Sequence, residues 1–186
     1  MTASGLLSIA EIAKKAIGRR DWQTLEFAAS KLCSEYPNEA ETFFVTGVLA
    51  RARGQYDEAQ RSFEHGLTLA PERHDLAVEL ASLYGRMLRH GEALALLDKA
   101  TSLLCGSPLY CDMAGSVLIS LGMPDRALPL AQRAHELQPE VDVFAANLAH
   151  CLSFVGKHNQ SAELYTALLL KNPNHRRNHY ALARVQ

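Results

Sequence analysis

No apolar run in these 186 residues approaches the roughly 18–20 needed to cross a bilayer. The opening stretch MTASGLLSIAEIAKKA lacks a basic start and is interrupted by Glu11, so it predicts a first helix and not a signal peptide. Charge of one sign is missing too. Nineteen Lys and Arg against 20 Asp and Glu leave a net charge of −1, which offers no overall pull toward nucleic acid or an anionic membrane. Cysteine is sparse. Cys33, Cys105, Cys111 and Cys151 form no C-x-x-C pair, and they predict buried or turn thiols in a reducing, cytoplasmic setting. Cys105 and Cys111 flank GSPLY and can approach one another, but no bridge is expected.

Catalytic motifs are absent as well. No G-x-x-x-x-G-K-[ST], no G-x-S-x-G and no G-x-G-x-x-G after a strand occurs. His175 and His179 have the i, i+4 spacing of a zinc pair, but Arg176 stands where a metalloprotease places its Glu. Two adjacent arginines oppose a bound cation, so the expectation is a cationic helix start. No metal, no cofactor and no catalytic residue is expected, and the chain is predicted not to be an enzyme.

What is present is a period. Pro37, Pro71, Pro139 and Pro173 share a 34-residue register whose empty slot falls at Cys105. Such a period marks a stack of small units, none of which can bury its apolar face alone. Further columns keep the phase. Twenty-four residues before the slots stand Ala13, Gly47, Ala81, Gly115 and Ala149, with Ala183 one period on; side chains this small let helices approach closely. Apolar Ala29, Phe63, Leu97, Ala131 and Tyr165 precede the slots by eight. Gly54, Gly122 and Gly156 fall where a turn between helices is needed; the first unit lacks this glycine and the third shifts it to Gly91. In the second unit the first helix is expected over about 39–53 and the second over about 56–69. Pro129 should cause a local irregularity near the start of its helix and not a break.

This pattern resembles the tetratricopeptide repeat over almost the whole chain. AETFFVTGVLARARGQYDEAQRSFEHGLTLAP is the best match, with Phe43, Gly47, Gly54, Tyr56, Ala59, Phe63 and Pro71 at the family's positions. The resemblance implies an all-α fold, a right-handed α-solenoid of antiparallel helix pairs. It would form one domain over 1–186, with units near 6–39, 40–73, 74–107, 108–141 and 142–175 and a terminal helix over about 176–186. It also implies that one stripe of each unit's first helix lines a groove. The second unit supplies Phe44, Val45, Val48 and Arg51, and the third Val78 and Arg86. Asp112, Met113 and Ile119 come from the fourth, Asn147, His150 and Phe154 from the fifth, and Tyr180 and Arg184 from the terminal helix.

An apolar stripe rimmed by charge marks an interaction surface. The expected function is therefore protein–protein interaction, as an adaptor, scaffold, assembly factor or chaperone that holds a peptide segment in the groove. The valines serve equally well as packing between helices. The carboxylate clamp by which some family members hold chaperone tails does not fit. Asn147 and Arg177 match two of its positions, but Asp112, Ser116 and Ala181 fill the others, and Asp112 repels a carboxylate. Self-association through Leu6, Leu7 and Ile9 of the first unit is a further use of such a stack. The alternative is a repeat arm of a larger bacterial enzyme, since NPNHRRNHYALARVQ is similar to arrays that precede sulfotransferase domains.

Overall fold

The computed structural model of the protein describes residues 3–100 and 106–185. These form eleven α-helices and, among the described residues, no strand. In chain order they are α1 (Ala3–Arg19), α2 (Trp22–Glu35), α3 (Ala40–Ala52), α4 (Tyr56–Leu69), α5 (His74–Arg86), α6 (His90–Ala100), α7 (Pro108–Ser120), α8 (Pro124–Leu137), α9 (Asp142–Phe154), α10 (His158–Lys171) and α11 (Arg176–Val185). None of the described helices is long and apolar enough to cross a membrane. Odd-numbered helices open each pair and even-numbered helices close it. The chain divides into two compact units, Met1–Leu83 and Tyr84–Gln186, with the boundary inside α5. In the first, α1 packs on α2, α2 on α3 and α3 on α4. In the second, α7 to α11 pack in succession, and the odd helix α9 also meets α7 and α11.

The period has a backbone cause. Tyr36, Ala70, Gln138 and Asn172 each precede a register proline, and each ends its helix at φ between −135° and −143°. Proline's Cδ pushes the residue before it out of the α region, so the even helices stop on schedule. The empty slot at Cys105 lies outside the described residues. Pro108, three residues later, opens α7 at its first turn, where its missing N–H costs least.

The turn inside each pair is set by left-handed backbone at one register position. Gly54, Gly122 and Gly156 have φ of 77°, 74° and 78°, and Arg20 and Leu88 hold the same position at 55° and 60°. The next residue's N–H then bonds back to the carbonyl five residues earlier, in all five turns. Examples are Gln55 to Ala50 and Arg89 to Tyr84, both at 2.9 Å. This corrects the expectation for the third unit: Gly91 lies within α6, and Leu88 adopts the strained conformation without glycine's freedom.

The small column marks close approach at its first glycine. A Cβ at Gly47 would stand 2.5 Å from the Phe63 ring, which is fully buried. At Gly115 the nearest atom, the Ala127 carbonyl oxygen, is 3.5 Å away, which is ordinary contact. Ala13, Ala81 and Ala149 are fully buried, and Ala183 is exposed. Leu25, Ala59, Ala93, Ala127 and Ser161, each 12 residues before a slot, are all buried, and the Ser161 hydroxyl donates to the Ala149 carbonyl at 2.7 Å. Helix α8 continues through Pro129 to Leu137. Of the apolar residues expected to be exposed on α1, Leu7 is exposed but Ile9 is buried.

Candidate functional site

Within residues 1–83 the expected lining is largely closed. Val45, Val48 and Val78 have no exposed surface, and Phe44 keeps only 7%. These four side chains belong to the core, a correction to their expected place on an open stripe: a group with little or no exposed surface has next to nothing to offer a ligand on the folded face. The Arg73 guanidinium stands over the Phe44 ring, 5.4 Å from its centroid, and is held there by Glu41 and Asp75. Arg51 is turned to the buried Glu79, Nε to Oε2 3.2 Å.

Residues 84–186 leave the odd-helix face open. Asp112 on α7 is buried, and both its carboxylate oxygens accept from Asn147 Nδ2 on α9, at 2.9 Å each. This bridge forms one wall of a cavity of about 290 Å3. Gly115, Ser116, Ile119 and Ser120 of α7, Ala131 of α8, and His150 and Cys151 of α9 complete it. Burial raises the Asp112 carboxyl above the usual carboxylate range, and the Asn147 bond offsets this in part. Burial, helped by Asp112, pushes the Cys151 thiol up to about 11. That thiol stays protonated at neutral pH and is a poor nucleophile.

His150 also lines a second hollow of about 120 Å3 with Ser153, Phe154, His158, Tyr165, Ala181, Arg184 and Val185. Its ring meets Phe154 edge-on, centroids 4.8 Å apart. Burial, followed by the Arg184 charge, holds His150 below its ordinary value, which favours the uncharged ring. Phe154 keeps 52% of its surface exposed. Tyr180 is exposed beside Arg184, and Met113 is half-buried; neither lines the two hollows. Arg86 is exposed at the end of α5.

The face therefore joins Asp112, Ile119, Asn147, His150, Phe154 and Arg184 across α7, α9 and α11. Sequence reasoning missed the floor supplied by even helices: Ala131 from α8, and His158 and Tyr165 from α10. The small column at Gly115 was the available signal, since small side chains on α7 leave α8 visible from the groove. His175 and His179 do not pair toward a metal. His175 precedes α11, its Nδ1 accepts from the Asn178 N–H, and His179 Nε2 lies 2.7 Å from the Pro173 carbonyl oxygen. Among the described residues no three His, Cys, Asp or Glu side chains gather as a metal set.

Two family models, both described as tetratricopeptide repeat, match residues 40–73 and 118–185. No curated protein matches in sequence. Solved structures match in fold. One is YrrB, a TPR protein with an unusual peptide-binding site, 22% identical, with 85% of this chain and 81% of that one covered at a TM-score of 0.69. Another is TTC0263, a thermophilic TPR protein of Thermus thermophilus, 16% identical over 97% of this chain and 98% of that one, TM-score 0.74. PilF of Pseudomonas aeruginosa is 13% identical, with 98% and 83% covered and a TM-score of 0.75. At these identities the likeness is one of fold.

Proposed function

The chain belongs to the tetratricopeptide repeat family, and from that premise we propose that it binds a peptide segment of a partner protein on the odd-helix face of residues 84–186. Repeats of this family are in general non-enzymatic modules that engage other proteins. The observation that carries the finer proposal is Phe154: a phenyl ring half open to solvent, held edge-on by His150, beside a hollow floored by Tyr165 and Ala181. Leaving such a ring in water costs free energy that an apolar side chain of a ligand recovers. The peptide-binding site of YrrB supports the same use of the fold.

The test is a peptide chosen by selection from a random library on the immobilised protein. Phe154→Ala is expected to weaken it by about 2 kcal/mol, roughly 30-fold, as loss of a buried anchor does. The circular dichroism melt should hardly move, because the ring is exposed in the free protein. Unchanged affinity in a folded variant excludes the site.

A further inference from the structure

The groove contains one group that its own neighbours leave electrostatically unanswered. Asp112 is about nine-tenths buried, yet among the described residues it forms no ion pair. A single amide nitrogen, Asn147 Nδ2, supplies both of its hydrogen bonds. A carboxylate offers about four lone-pair positions, so about half of its accepting capacity remains. It forms part of the wall of the 290 Å3 cavity, whose other walls include Ile119, Ala131 and Gly115, apolar enough to hold a methylene stem, and the hydroxyls of Ser116 and Ser120. A buried carboxylate without a cation is costly, and an entering cation meets it in a medium where the attraction is poorly screened.

The remaining groups agree. His150, also in the lining, is held below its ordinary value by burial and by the Arg184 charge, which favours the uncharged ring and lessens its opposition to a cation. Arg184 acts on His150 and Tyr165 across the second hollow. Charge complementarity thus points to one kind of occupant.

We propose that the cavity beside Asp112 receives the lysine or arginine side chain of a partner peptide, whose neighbouring apolar side chain lies against Phe154. This rests on the peptide-groove proposal and specifies its ligand. It assigns to the site the opposite charge preference from a carboxylate clamp.

The probe is the capped peptide acetyl-Ala-Arg-Ala-Leu-Ala-amide, compared with the same peptide carrying citrulline, the neutral isostere of arginine. Both are titrated into the full chain up to millimolar concentration, with the side-chain amide signal of Asn147 followed by NMR. The arginine peptide should shift that signal and bind at least about tenfold more tightly than the citrulline peptide. Asp112→Asn should abolish the difference. If this variant does not fold, the comparison of the two peptides on the unaltered protein decides.

Equal binding of the two peptides overturns the charge assignment, as does binding of neither. Butylguanidinium alone binding as tightly as the peptide overturns it in favour of a small-molecule site. Library-selected peptides that still depend on Phe154 in any of these cases leave the groove proposal standing; their independence of Phe154 removes that as well.

Discussion

Gly47 and Gly115 occupy the same register position two periods apart, yet they should respond oppositely to alanine. A helix-interior Gly→Ala change gains about 1 kcal/mol from propensity alone. At Gly47 the added Cβ would stand 2.5 and 2.6 Å from two atoms of the Phe63 ring and 3.0 Å from a third. Phe63 is fully buried, so its ring cannot swing aside. Overpacking of this kind costs about 3 kcal/mol at its upper range, which leaves a net loss of about 2 kcal/mol. For a chain of this size that lowers the melting temperature by roughly 4–8 °C. At Gly115 the nearest atom is 3.5 Å away, so Gly115→Ala should keep most of the propensity gain, about 0.5–1 kcal/mol. Thermal and urea melts followed by circular dichroism measure both. Gly47→Ala combined with Phe63→Leu should recover part of the loss, since the two sites are in contact. A neutral or stabilising Gly47→Ala refutes the claim that this position sets the helix spacing.

Leu88→Gly should stabilise by about 0.5–1 kcal/mol, because relief of left-handed strain exceeds glycine's extra unfolded freedom, whereas Gly122→Ala should cost about 1 kcal/mol; paired melts decide. Asp112→Asn should raise the melting temperature at pH 7. In the native protein the raised carboxyl binds its proton more readily than in the unfolded chain, so its cost to the fold falls away as pH drops through the raised value toward 3.8. The advantage of Asn over Asp should therefore shrink across that window in melts taken from pH 7 to pH 4. Glu79→Ala should destabilise by about 2 kcal/mol, less than a fully buried pair because Arg51 keeps 23% of its side chain exposed. Urea titration measures it.

The elements were legible where backbone chemistry repeats. Proline acts on the residue before it, so four even-helix ends could be placed from the register alone. The α3 and α4 boundaries, Ala40–Ala52 and Tyr56–Leu69, follow the expected 39–53 and 56–69 for the same reason. Leu88 was not legible, because the turn is defined by backbone conformation and its hydrogen bonds, and a strained residue leaves no mark in composition. Exposure on the odd-helix face was half legible. Asn147, His150, Phe154 and Arg184 emerge at open positions, while Phe44, Val45, Val48 and Val78 vanish into the core. One helical stripe contains both kinds of residue, and sequence spacing alone does not tell which neighbour covers a given turn. The Asp112–Asn147 bridge joins residues 35 apart, about one period, on adjacent odd helices. The period brought the two together, but only geometry shows that one satisfies the other in part.

The most direct test of peptide binding on the odd-helix face places photoreactive benzoylphenylalanine at Phe154 and, separately, at Leu170, which is 80% exposed on the even helix α10. After irradiation in native lysate the adducts are digested and the crosslinked segment is sequenced. The account predicts one recurrent partner segment from position 154, displaced by the library-selected peptide, and none from position 170. The same adducts from both positions, or adducts at 154 that the peptide does not displace, would contradict it.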